Sequence, residues 1–192
     1  METLGLVGVA LLVAIESIFP PIPSEIILPL AGFTASQGSF TVVGAIVAAT
    51  IGSVVGAVGL YYLGRVLGAK RLRMWAERVP LMSGEDVDKA MAWFHRHGKI
   101  AVLTGRFVPI VRSLVSIPAG VDRMPLPVFL LLTTLGSGLW NSLFVGLGYL
   151  LGENWTAVER VMGTYSTAIL VAAVLVLALF VVLRIRQRRR PG

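Results

Sequence analysis

The 192-residue chain contains no cysteine. Disulfides, thiolate nucleophiles and cysteine-based metal sites are therefore excluded. Histidine is also scarce: His95 and His97 are the only two, too few for a histidine-rich metal site. Charged residues make up only 14% of the chain, against about 25% in typical soluble domains. What fills the sequence instead is apolar: 56% of residues, with a mean hydropathy of +0.83. A soluble domain of this size leaves about a third of its chain's surface wet after folding, and cannot hide so much apolar surface. Composition therefore excludes most soluble readings and points to one membrane domain spanning residues 1–192.

The net charge of +7 and a pI near 10.6 fit a nucleic-acid partner only until the positions are read. Eight of seventeen basic residues lie between Arg65 and Lys99. Five more close the chain, from Arg184 to Arg190. Each block abuts an apolar segment, which is the pattern of positive-inside topology beside anionic lipid. A nucleic-acid patch has no need of flanking apolar spans. Both blocks are expected in the cytoplasm, with the bilayer as partner and no nucleic acid.

Residues Leu4 to Phe33 are apolar but interrupted by Phe19-Pro20-Pro21-Ile22-Pro23-Ser24-Glu25. Three prolines in four positions cannot continue a helix. The stretch lacks a basic start and so does not read as a signal peptide. Phe40 to Gly64 is an apolar run long enough to span a bilayer. Within the basic loop 65–99, Ser83 to His97 reads as an amphipathic helix, with Ser83 as cap, acids in the first turns and Gly98 after its end. Val87, Met91 and Phe94 share one face, and the two histidines are expected in solvent. Ile100 to Val121 is apolar and broken at Pro109 and Pro118. Val128 to Leu151 is a second long run. Glu153 to Arg160 is a polar loop. A last span, within 166–184, precedes the basic tail 185–192 and carries nothing to offer a substrate.

Shifted by 88 residues, the chain partly matches itself without gaps. Phe19 falls on Phe107, Pro21 on Pro109, Ile22 on Ile110, and Ala31-Gly32 on Ala119-Gly120. Tyr61, Leu63 and Gly64 fall on Tyr149, Leu151 and Gly152. Two repeats follow, 4–64 and 100–152, each a broken segment and one full span. If each broken segment is a re-entrant hairpin, one unit crosses the membrane once and the second is inverted, so the hairpin tips meet near the midplane. The expected fold is all-α: a polytopic helical membrane protein with two inverted repeats and a C-terminal transmembrane helix. The C-terminus is then cytoplasmic and the N-terminus outside. If Leu4 to Phe33 crosses fully, the N-terminus is inside.

Four charges lie within the broken segments: Glu16, Glu25, Arg106 and Arg112. At the bilayer centre each costs about 3 kcal/mol on insertion scales. In straight helices neither pair would converge, since Glu16 and Glu25 would sit about 180° apart and the arginines about 240° apart. The intervening prolines let each hairpin turn its charges toward one cavity, and irregular backbone at membrane depth itself requires protein or a polar cavity around it. One reading is two Glu–Arg bridges that hold the hairpins together. The other is an anion site built by arginine, whose fork binds phosphate bidentately, beside carboxyl groups that low dielectric lets carry protons. Gly52-x-x-x-Gly56 and Gly148-x-x-x-Gly152 fit close helix contacts. Trp140 and Asn141 sit mid-span, as packing or as cavity wall.

The segment Gly105-Arg106-Phe107-Val108-Pro109-Ile110-Val111-Arg112 resembles the G-R-F-x-P-x-x-R signature of the DedA family, the bacterial side of the VTT-domain superfamily. Glu16 to Glu25, ending Pro21-Ile22-Pro23-Ser24-Glu25, is similar to that family's first hairpin, with Ser24 where the family usually has glycine. Tyr61-Tyr62-Leu63-Gly64-Arg65 fits as well, so the resemblance covers about residues 10 to 155. It implies recycling of undecaprenyl phosphate across the bacterial cytoplasmic membrane; eukaryotic relatives scramble phospholipids. It also implies essential acids at Glu16 and Glu25 and essential arginines at Arg106 and Arg112. Pro21, Pro23 and Ser24 would shape the first tip, and Gly105, Pro109, Ser113 and Gly120 the second.

The leading expectation is a proton-coupled flippase for a phosphate-headed lipid, not an enzyme and without a cofactor or metal. Assembly into a homo-oligomer is left open. A polyprenyl diphosphate phosphatase competes, because Ser113 and Ser116 neighbour Arg112, but it lacks a membrane-embedded histidine as base or phosphoryl acceptor. The same lack rejects a rhomboid-like protease. A passive scramblase or small-ion transporter would differ from the flippase in ignoring a pH gradient.

Overall fold

A computed structural model describes residues 5–18, 24–77, 84–109 and 111–152. Pro21, Pro23, Ser83, Ile110, the 153–160 loop and the C-terminal span with its tail lie outside the described residues. The elements are α1 (Gly5–Ile18), α2 (Ser24–Ser36), α3 (Val42–Ala76), α4 (Gly84–Gly105), α5 (Val111–Leu114), α6 (Ser116–Val121) and α7 (Leu126–Leu150). No strand occurs among the described residues.

Two helices, α3 and α7, are long and apolar enough to cross a membrane. Their side chains are distributed as lipid solvation demands. Val43, Val47, Ile51 and Val55 form an exposed stripe on α3, and Leu131, Leu135, Leu139, Leu143 and Leu147 form one on α7. The inward faces hold small and polar residues: Ala45, Ala49, Ser53 and Ala57 on α3, and Thr133, Ser137 and Asn141 on α7. A soluble core would reverse this pattern. In a bilayer, where lipid tails are as apolar as leucine, close packing of small residues holds helices together.

By contrast, α1 has 14 residues and α2 has 13. At 1.5 Å per residue, each is only about 20 Å long, short of a hydrocarbon core of about 30 Å. Leu6 lies against Gly44 near the start of α3, and Ser17 lies against Gly56 farther along it. Thus α1 runs parallel to α3 for half its length. The chain then returns through α2, which leads by the short turn 37–41 into the start of α3. The second half repeats this course. Gly98 of α4 lies by Met124, just before α7, and Arg106 lies by Gly136, well along it. Helices α5 and α6 then return toward the start of α7.

The two halves interlock through glycines. A Cβ on Gly32 of α2 would meet the Val145 carbonyl of α7 at 2.0 Å; one on Gly120 of α6 would meet the Tyr61 carbonyl of α3 at 1.9 Å. Gly148 abuts Pro29, and Gly64 abuts Ile117 in the same manner. Each short return helix therefore packs on the long helix of the other half. The end of α3 also lies beside the residues leading into α7, where the Tyr61 hydroxyl donates to the Met124 carbonyl at 2.6 Å. The end of α7 lies beside α2, which leads into α3. The two long helices run in opposite directions.

Three local expectations are corrected. Helix α4 does not stop at Gly98 but continues to Gly105. Gly98 is there for space: a Cβ would come within 2.9 Å of Phe94 and 3.1 Å of Met124. Helix α3 continues beyond the apolar run to Ala76, so Arg65, Lys70, Arg71 and Arg73 are helical; it bends at Gly68, whose φ of 68° is open to glycine. Pro118 does not break the chain, because it occupies the first turn of α6, where no intrahelical N–H bond is lost. The interruption falls instead at residues 106–109.

Candidate functional site

The site forms where the end of α1 meets α5 and the turn that follows α4. Glu16 faces inward from the last turn of α1 and is buried. Small residues on α3 admit this turn: a Cβ on Gly56 would strike Ser17 at 2.5 Å. From the other half, α5 delivers Arg112, also buried. Its Nη2 donates to Glu16 Oε1 in an ion pair that joins residues 96 apart in sequence. The second carboxylate oxygen, Oε2, has no hydrogen-bond partner among the described residues.

Arg106 follows the end of α4 and is 3% exposed. Its Nη2 donates to Ser116 Oγ at 3.0 Å and to Thr133 Oγ1 at 3.1 Å. Its guanidinium carbon stands 5.9 Å from the centre of the Phe129 ring. Gly136 makes room for its stem, since a Cβ there would lie 2.9 Å from Arg106 Cγ. Nε has no partner, and among the described residues no carboxylate forms an ion pair with this cation. Of the two Glu–Arg bridges that the purely structural alternative needs, one forms among the described residues. Arg106 is solvated by two neutral hydroxyls and a ring face.

Glu25 lies in the first turn of α2, half-buried and without an ion pair among the described residues. That position suits a carboxylate, because the helix N-terminus carries partial positive charge. Ser24 beside it is buried, and its hydroxyl is unpartnered. Ser113 is buried next to Arg112. Gly105 approaches Val111 closely, and Pro109 is half-buried in the turn. His95 and His97 are exposed, as expected, but not idle: His95 Nδ1 lies 2.7 Å from Asp122 Oδ1, and His97 stacks on Trp93.

Between the two arginines lies a small pocket also lined by Ser17, Ser53, Ser113, Ser137 and Trp140. Its free volume of about 10 Å³ has room for about one water. No acidic side chain among the described residues lines it, so its described lining is rich in donors and poor in negative charge. A second polar layer adjoins it. Asn141 Nδ2 donates to Thr50 Oγ1 at 3.3 Å and to Ser53 Oγ at 3.4 Å, and Asn141 Oδ1 is left unpartnered. Asn141 thus packs in a hydrogen-bonded polar layer beside the pocket, and it is Trp140 that forms part of the wall.

Thr133, Gly136, Ser137 and the Ser116 contact to Arg106 were not foreseen as parts of the site. A signal for the first group exists in the sequence. Thr133, Ser137 and Asn141 recur at i, i+4 and i+8, a polar stripe along one face of an apolar span.

Comparison with known proteins follows this geometry. The VTT domain profile matches residues 22–150. Undecaprenyl phosphate transporter A of Bacillus subtilis (strain 168) is 38% identical over 186 residues, covering 97% of this chain and 91% of that protein. The protein of the same name from Staphylococcus aureus (strain NCTC 8325 / PS 47) is 32% identical over 190 residues, with 97% and 93% covered. A protein of Lactococcus lactis subsp. lactis (strain IL1403) named alkaline phosphatase-like protein is 42% identical over 195 residues, with 100% and 91% covered. No solved structure matches the chain.

Proposed function

The chain belongs to the VTT-domain family, on its DedA side, and from that premise we propose that it carries undecaprenyl phosphate, or a similarly phosphate-headed lipid, across the bacterial cytoplasmic membrane, driven by protons. Arg106 and Arg112 take the phosphate; Glu16 and Glu25 take the protons. The observation that carries this reading is Arg106. A buried cation held only by hydroxyls and a ring face is incompletely compensated, and burying charge without a counter-ion is costly. An anion entering beside it supplies what the fold leaves out. Arg112 is already paired with Glu16, so an incoming phosphate competes for the same guanidinium. Protonation of Glu16 frees that guanidinium, which links proton and lipid. The pocket now has room for about one water, so a headgroup enters only as its walls part.

The inverted-repeat reading gains support from one hydrogen bond. Ser53 and Asn141 occupy equivalent positions of the 88-residue repeat and touch each other. Equivalent residues can meet only near the axis that relates the two halves. The opposed directions of α3 and α7, and the exchange of α2 and α6 between halves, agree with such an axis. Two hairpins opening to opposite faces are what alternating access requires.

The test is binding of a polyprenyl phosphate to purified protein in lipid nanodiscs, with the uncharged polyprenol as control. The phosphate is expected to bind more tightly, and Arg112→Lys to weaken it by about tenfold or more, because a point charge cannot replace a bidentate fork. Equal binding of phosphate and alcohol, or no loss in the lysine variant, overturns the reading. A phosphatase is the second reading, favoured by Ser113 beside the arginines and by the name of the lactococcal relative. Steady release of inorganic phosphate from a polyprenyl diphosphate by the pure protein would establish it.

A further inference from the structure

Among the described residues that line the arginine pocket Trp140 is the one aromatic, and its indole Nε1 is buried without a hydrogen-bond partner among the described residues. An indole N–H can only donate, and leaving it unmade in a buried place costs about 1–3 kcal/mol. Two aromatic rings pack against the indole. Phe107 stands edge-on to it at 6.2 Å, from the turn that follows Arg106. Phe144 lies 4.6 Å away, one helical turn along α7. The two neighbours fix the indole where it borders the pocket, and the turn that sets Arg106 also sets one of them. In an apolar span a phenylalanine or leucine would pack as well without an orphaned donor.

The unsatisfied groups around the site are unequal in kind. Arg106 Nε and Trp140 Nε1, the orphan atoms on residues that line the pocket, are both donors, whereas the orphan acceptors nearby, Glu16 Oε2 and Asn141 Oδ1, belong to residues that do not line it. Paired donors without acceptors fit an anion with several oxygens. Arginine supplies charge, and a neutral N–H supplies direction. We propose that the Trp140 indole N–H is a third donor of this site and binds a phosphate oxygen of the headgroup alongside Arg106 and Arg112. This inference rests on the lipid-phosphate reading above and adds a specificity-determining residue to it.

The test is Trp140→Phe, which keeps an aromatic ring between Phe107 and Phe144 and removes the donor. A second variant carries benzothienylalanine at position 140, which keeps the shape of the indole with sulfur in place of N–H. Binding is measured in nanodiscs for polyprenyl phosphate, polyprenol and inorganic phosphate. Both variants are expected to weaken polyprenyl phosphate by about tenfold, the worth of one hydrogen bond to a charged group, and to leave polyprenol unchanged. A parallel loss for inorganic phosphate would assign the contact to the phosphate itself, whether free or on a lipid. If wild type prefers phosphate over alcohol and both variants keep that preference, the inference fails while the lipid-phosphate reading stands. If wild type shows no preference, both fail. If Trp140→Phe does not fold, the benzothienylalanine variant decides alone.

Discussion

Among single residues, the two acids separate sharply in surroundings. Glu16 is buried against Arg112, whereas Glu25 is half-buried at a helix start without an ion pair among the described residues. Glu16→Gln would leave Arg112 as a buried, uncompensated charge, and breaking such a pair costs about 3–5 kcal/mol. A clear drop in the thermal unfolding midpoint in detergent is expected. Glu25→Gln should stay within about 0.5 kcal/mol of wild type and yet flatten the pH dependence of lipid transport. Unchanged pH dependence in Glu25→Gln would remove that residue from the proton path. That these four charges matter was legible from their cost in a membrane; which of them meet was not. Partners 96 residues apart are joined by four chain reversals, and no spacing rule reaches so far. Thr133 was missed for a related reason: a threonine in an apolar span is ordinary until an arginine is seen beside it.

For the helices, contact distance governs. Gly120 and Gly32 hold α6 on α3 and α2 on α7 at separations no Cβ tolerates. Gly120→Ala and Gly32→Ala must push backbones apart, and each is expected to destabilise by about 1–3 kcal/mol or more. Gly59 and Gly146 lie on the same long helices with nothing near the Cβ position. Alanine there should be neutral or stabilise by up to about 1 kcal/mol through helix propensity. Unfolding midpoints of the four variants in one detergent check both halves of the prediction, and equal effects would refute the packing account. The glycine repeats in the two spans were evident in sequence, but the tight glycines could not be told from the idle ones. Likewise, Gly98 looked like a helix end because glycine often ends helices. Here Phe94 and Met124 claim its space, and the apolar residues beyond it carry the helix onward.

Taken as a whole, the molecule has opposed ends. Arg73 lies on the basic extension of α3, while Gln37 lies in the exposed turn between α2 and α3, at the other end of that helix. On charge bias the basic end is expected in the cytoplasm. A cysteine at position 73 should therefore resist an impermeant thiol reagent in intact cells, and one at position 37 should react. The chain has no native cysteine, so the signal is unambiguous. Labelling at 73 with protection at 37 would invert the orientation.

The sequence by itself determined the solvent, the class and the suspects. An apolar composition with thirteen basic residues in two blocks demands a bilayer and charge-sorted loops, because both effects sum over local segments. Three prolines break a span, and four charges at membrane depth carry a cost that needs a reason. Tertiary structure decided the rest. It joined Glu16 to Arg112, left Arg106 with hydroxyls for company, set Trp140 in the wall of the arginine pocket and exchanged the return helices between halves. Those outcomes depend on how backbones approach at glycines far apart in the chain, and that is settled by contact in three dimensions, which local pattern does not encode.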